Sequence, residues 1–185
     1  MGTLSYGMNT SVDGYVEDAT GGFDWAAPDE EVHRFANGQT AQAAALLFGR
    51  GMFETMDGFW SSPERADGGE VEAEFARAYV ATPRIVFSDT LTSVPDGCRL
   101  VRSADAVTEV KRLKEETDGV LSVAGPGLAA ALADQSDELV PFVVPAVAGG
   151  GKPFLPLGHR FDLTLVEHRV FEASGWALLR YRVNR

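Results

Sequence analysis

Residues 120–132 read VLSVAGPGLAAAL. Val120 to Ala124 form a short apolar strand, Gly125-Pro126-Gly127 breaks it, and a leucine- and alanine-rich run then starts a helix. The same order recurs at residues 46–56, LLFGRGMFETM, where the strand AAALLF reaches Gly49-Arg50-Gly51 and a helical pattern follows. A strand that is apolar along its whole length, followed by a helix, belongs to a mostly parallel sheet flanked by helices.

Outward from these two junctions, TLSYGM (3–8) reads as the first strand, and SVDGYVEDATGGFDW (11–25) as a loop rich in turn residues. Pro28 with Asp29, Glu30 and Glu31 opens a helix, since proline suits the first turn and carboxylates suit its positive end. SSPERADGGE (61–70) is the most loop-like and mobile segment. VEAEFARAYV (71–80) has helical spacing, RIVFS and CRLV are strands, and Ala104 to Glu116 is a helix carrying Val107, Val110 and Leu113. LVPFVVPAV, FDLTLVEHRV and WALLRYRV read as three long strands with no helix between them. The expectation is one α/β domain over residues 1–185, a mixed and mostly parallel sheet with antiparallel C-terminal strands added at one edge.

Bulk properties exclude several functions. The 185 residues suffice for one core, and 45% apolar content is ordinary for a globular domain. A net charge of −11 argues against a general nucleic-acid binder, which needs a cationic face. Cys98 is the one cysteine, so an intrachain disulfide and a multi-cysteine zinc site are out, and it reads as a packing residue. His33, His159 and His168 form no ligand set, so no metal is expected. No window approaches the ~20 apolar residues of a membrane span. With no secretory signal at MGTLSYGMNT, the cytoplasm is the expected compartment.

Chemistry can attach to few places. Gly49-Arg50-Gly51 and Gly125-Pro126-Gly127 both sit where a helix N-terminus offers free N–H groups and partial positive charge to an anion. Arg50 adds a planar, permanently charged fork. Neither junction is a complete dinucleotide or Walker motif, and either one alone also reads as a structural turn. Gly149-Gly150-Gly151 is either a bulged connection or a backbone wall of a cavity. Asp13, Glu30 and Glu31 are the carboxylates of interest near Trp25. A carboxyl in an apolar pocket beside a tryptophan would hold its proton, although first-turn acids also simply stabilise helices.

Taken in order, the pieces resemble the dihydrofolate-reductase-like family, closest to the reductase domain of riboflavin-biosynthesis deaminase-reductases and its single-domain relatives. The matching stretches are Ser11-Val12-Asp13-Gly14, Trp25-x-x-Pro28-x-Glu30, LLFGR with Met52-Phe53-Glu54, RIVFSDTL, VLSVAGPGLAAAL, DELVPFVVPAVAGGGKPFLP and LLRYRV. The resemblance implies a three-layer fold with helices on both faces and hydride transfer to a small heterocyclic or carbonyl substrate. NADPH would be the cofactor, with NADH left open. It places Gly49 and Arg50 at the cofactor phosphate, Ser88 beside the adenosine ribose, and Gly125, Pro126, Gly127 and Leu128 around the pyrophosphate. Asn9 and the Asp13 turn would border the nicotinamide. Glu30 takes the position of the carboxylate that binds and protonates the pterin, with Trp25 and Gly150 toward the substrate. A homodimer is implied as well. A non-catalytic dinucleotide- or ligand-binding module of the same fold is the alternative.

Three positions depart from the family pattern. Met52 stands where threonine is usual, Asp89 where arginine is common, and Ala124-Gly125-Pro126 where two glycines are usual. No H-x-E or P-C-x-x-C is present, so the zinc deaminase step of the bifunctional riboflavin enzymes is not expected.

Overall fold

The computed structural model describes residues 1–156 and 158–185. Among these residues eight strands form one sheet: β1 (Thr3–Thr10), β3 (Ala43–Gly49), β4 (Arg84–Phe87), β5 (Cys98–Val101), β6 (Val120–Ala124), β7 (Glu138–Val143), β9 (Leu163–Phe171) and β10 (Trp176–Val183). Their order is β5-β4-β3-β6-β1-β7-β10-β9. The first six in space run parallel, and β10 and β9 close the sheet as an antiparallel hairpin. A separate ladder pairs β2 (Tyr15–Glu17) with β8 (Lys152–Pro153).

Side-chain alternation divides each apolar strand between two cores. Leu46, Phe48 and Val86 face Phe53, Phe75 and Tyr79. These belong to α2 (Arg50–Trp60) and α4 (Glu70–Ala81). Ala45, Leu47, Ile85, Leu121 and Val123 face the other way, onto Ala106, Val110, Leu128 and Leu132. The helices there are α5 (Ala106–Glu116) and α6 (Pro126–Ala131). On the first face, toward the hairpin, α1 (Glu30–Gln42) packs Val32 and Phe35 over Val140, Phe142, Phe171 and Leu178. The result is three layers with helices on both faces of the sheet, as expected.

Local chemistry sets the element ends. Asp29 caps α1 by accepting the Val32 N–H at 2.9 Å. Proline at the first turn of α6 follows Gly125, whose φ of 97° a side chain rarely adopts.

Three local readings change. The LVPFVVPAV segment gives β7, which pairs in parallel with β1, because α6 carries the chain back to the same end of the sheet before β7 begins. The SVDGYVEDATGGFDW loop contains β2, whose ladder partner is 135 residues away. SSPERADGGE contains a four-residue helix, α3 (Pro63–Ala66).

Candidate active site

The carboxyl ends of β1, β3, β4 and β6 meet at a cavity of about 610 Å3, within the range of small-molecule sites. Both glycine junctions open onto it. From the first come Gly49, Arg50, Gly51 and Met52, and from the second Gly125, Pro126, Gly127 and Leu128. Adjacency of β3 and β6 brings them together, with Phe48 in register with Ala124.

The two junctions offer different donors. Gly49 is the N-cap of α2 and supplies no side-chain cap, so the first N–H groups of this eleven-residue helix stay available. Arg50 is about half exposed, and its ion pair to Glu54 is a loose 3.8 Å. A guanidinium so weakly held can turn to an anion at little cost. At the second junction the Gly125 N–H points to Met8 Sδ at 3.1 Å, and Pro126 has no N–H. Gly127 and Leu128 are therefore the remaining backbone donors there. The Leu128 side chain is buried in the core, so only its backbone can serve the cavity. A Cβ on Gly125 would come within 3.1 Å of Met52 Cβ, whereas one on Gly51 or Gly127 would meet nothing within 4 Å. Glycine is thus demanded by packing at Gly125, while Gly51 and Gly127 leave room for a ligand against the backbone.

The other expected contacts are distributed differently. Ser88 is buried, and its hydroxyl accepts the Thr90 and Leu91 N–H groups at 3.2 and 3.1 Å, within its own turn. Asp89 accepts the Ser103 N–H at 3.0 Å, and Ser103 lines the cavity. The Ser103 hydrogen bonds hold the Asp89 carboxyl below its usual range. Asn9 donates to the Ala26 carbonyl at 3.3 Å and so ties β1 to the turn that carries Trp25. Trp25 packs beside the α1 core, with a buried Nε1 that has no partner among the described residues.

The two carboxylates expected to be catalytic are engaged elsewhere. Asp13 accepts the N–H groups of Ala148 and Gly149 at 2.9 and 2.8 Å, clasping the glycine run that contains Gly150. Ser11 first, and these two amides after it, hold its carboxyl below the usual range. Glu30 is exposed and paired to Arg34 at 2.9 Å on α1. It borders a different cavity, of about 360 Å3, between the starts of α1 and α4. Neither carboxylate lines the 610 Å3 cavity among the described residues.

Two residues that sequence reading missed do line it. Glu17 and Lys152 stand opposite each other in the β2–β8 ladder, with Lys152 Nζ 2.6 and 2.7 Å from the two carboxylate oxygens. Position fixes the pair tightly. A Cβ on Gly151 would lie 2.0 Å from the Glu17 carbonyl oxygen, and Tyr6 donates to the Phe154 carbonyl at 2.9 Å while stacking on its ring. The signal was faint: a lysine after three glycines, with no local pattern pointing to Glu17.

A mostly parallel three-layer sheet with two glycine junctions converging on one cavity defines a dihydrofolate-reductase-like α/β domain. The chain belongs to the RibD C-terminal domain family, whose model matches residues 3–175. Solved structures agree on the fold. A protein of Shewanella sp. PV-4, described as a riboflavin biosynthesis protein, has a TM-score of 0.72 at 21% identity and covers 99% of both chains. A diaminohydroxyphosphoribosylaminopyrimidine deaminase/5-amino-6-(5-phosphoribosylamino)uracil reductase of Thermotoga maritima gives 0.69 at 16%, over 98% of this chain and 56% of its own. Dihydrofolate reductase of Enterococcus faecalis, complexed with NADP(H), gives 0.68 at 16%, over 99% of this chain and 97% of its own. No curated protein matches the chain.

Proposed function

We propose that this protein is an NADPH-dependent reductase of a small heterocyclic or carbonyl substrate, resembling 5-amino-6-(5-phosphoribosylamino)uracil reductase. The observation that carries the reading is the convergence of Gly49-Arg50-Gly51 and Gly125-Pro126-Gly127 on one cavity of about 610 Å3. The residues present fit a dinucleotide. Arg50 and the α2 N-terminus suit one phosphate, Gly127 and Leu128 supply further N–H groups, and the open space at Gly51 and Gly127 admits a close backbone approach. When bound, the reduced nicotinamide supplies the hydride. The chain's share is to hold the phosphates and to keep water from the reacting atoms with the apolar walls of Met8 and Met52.

Transfer of deuterium from 4-deuterated NADPH to an acceptor tests this reading. Absence of any NADPH or NADH binding at millimolar concentration overturns it. A second reading, a dinucleotide-binding module without catalysis, is favoured by the engagement of Asp13 and Glu30 away from the cavity. Tight dinucleotide binding without hydride transfer to any acceptor would select the module.

We also propose that a second copy covers the hairpin face opposite α1. Leu163, Leu165 and Val170 of β9 are exposed there beside Ala177, Leu179, Tyr181 and Val183 of β10. The face is apolar apart from His168, which stands opposite Leu179, and an exposed, largely apolar face of that kind marks an association surface.

A further inference from the structure

We infer that Lys152 is the proton donor of the reduction and that Glu17 positions it. The inference rests on the reductase reading. Among the cavity-lining residues the titratable side chains are Glu17, Arg50 and Lys152. An arginine does not release its proton near neutrality, and a carboxylate that holds an ammonium is an acceptor. Lys152 is the acid that remains.

The shape of the cavity places Lys152 at one end. Phe87 and Ser103 close the end at β4 and β5, the two glycine junctions form the middle, and Met8, Glu17 and Lys152 close the end at β1 and β2. With its phosphates at the middle, a dinucleotide sends one nucleoside to each end. The end at β4 and β5 carries the Asp89 carboxylate and the hydroxyl of Ser103, and no ammonium or imidazole among the described lining residues. The other end carries an ammonium fixed by two short contacts to Glu17. Redox chemistry belongs at that end.

The step balances. A hydride adds to the substrate carbon of a C=O or C=N group as the nicotinamide is oxidised. The π bond breaks, and its electron pair on the heteroatom takes a proton from Lys152 Nζ, whose N–H bond breaks. The neutral amine regains a proton from water, since the Lys152 side chain is 51% exposed. Gly151 makes this geometry specific, because any side chain there collides with the Glu17–Asp18 backbone that carries the partner carboxylate.

The test has two arms. In the first, acetylation of Lys152 by an N-hydroxysuccinimide ester is followed by peptide mass spectrometry, with and without saturating NADPH, and exposed Lys111 is the control. The expected result is at least fivefold protection of Lys152 and none of Lys111, and equal labelling overturns the placement. In the second arm, Lys152→Met and Lys152→Arg are assayed with NADPH and pyridine-4-carboxaldehyde. Both variants should lose about 100-fold or more in kcat, the scale of a lost general acid, with NADPH Kd within threefold of the parent. Arginine keeps the charge and not the transferable proton, so recovery in Lys152→Arg overturns proton donation. Glu17→Gln should lower kcat severalfold and enlarge the solvent deuterium isotope effect without moving Kd. A Kd that rises in step with the loss of kcat would make Lys152 a phosphate contact and overturn the inference. If the parent protein binds no dinucleotide at all, the reductase reading fails with it. Binding and transfer that survive in Lys152→Met defeat only the role of Lys152.

Discussion

At the scale of single residues, glycine and arginine at the same kind of junction carry separable burdens. Gly125 holds φ at 97° with Met52 Cβ in the path of any side chain. Gly125→Ala should cost about 1–3 kcal/mol, the range for a strained non-glycine backbone, read as a lower midpoint in urea unfolding. Unchanged stability would mean that α6 shifts to accommodate the methyl. Arg50 is the opposite case: exposed, loosely paired and removable without touching the core. Arg50→Ala should leave the thermal midpoint in place and weaken NADPH binding by about 1–3 kcal/mol, the scale of a charged hydrogen bond, in a fluorescence titration. Affinity equal to the parent's would reduce the junction to a turn. Both positions were legible in the sequence, since a strand, a glycine break and a helix are local events. Glu17 and Lys152 were not, because only the β2–β8 ladder brings them together across 135 residues.

Elements are joined by ion pairs whose worth depends on pH. Glu109 of α5 lies between Arg112 of the same helix and Arg99 of β5. Arg112, and then Arg99, holds its carboxyl down from an ordinary value of 4.5 to about 2. A depressed folded-state value means that the stabilisation is fully present above about pH 4.5 and is lost as pH falls toward 2. Glu109→Gln should therefore flatten that part of the acid limb of stability, followed by circular dichroism during urea unfolding at a series of pH values. A parallel limb in the variant would show that the clasp does not matter to folding. The hairpin presents the other element-scale expectation. Leu165→Glu with Val170→Glu should convert a dimer to a monomer in sedimentation experiments while leaving the far-ultraviolet spectrum intact, because both side chains are exposed. Sequence periodicity found nearly all of these elements. It missed the direction of β7 because an apolar strand looks the same in either orientation, and the short β2 and β3-to-β6 register depend on neighbours that no window contains.

For the whole molecule, the order of the sheet was beyond a linear reading even though the layers were not. Alternating strands and helices announce covered faces, but nothing in TLSYGM says that its neighbours are β6 and β7. That placement has a kinetic consequence. Thr3 is in register with Val120, and Ser5 with Glu138. As the chain is made, β1 must therefore wait for more than a hundred further residues before either partner exists. At ordinary synthesis rates that is roughly 5–20 s with an apolar strand unpaired. Such long-range pairing also slows folding from the denatured state. Nascent chains arrested before residue 120 should be cleaved rapidly by a dilute protease, and chains arrested after the tunnel has released β10 should resist it. The central strand is thus made before either of its neighbours, so the protein's exposure to aggregation during synthesis is set by the time needed to translate β6 and β7.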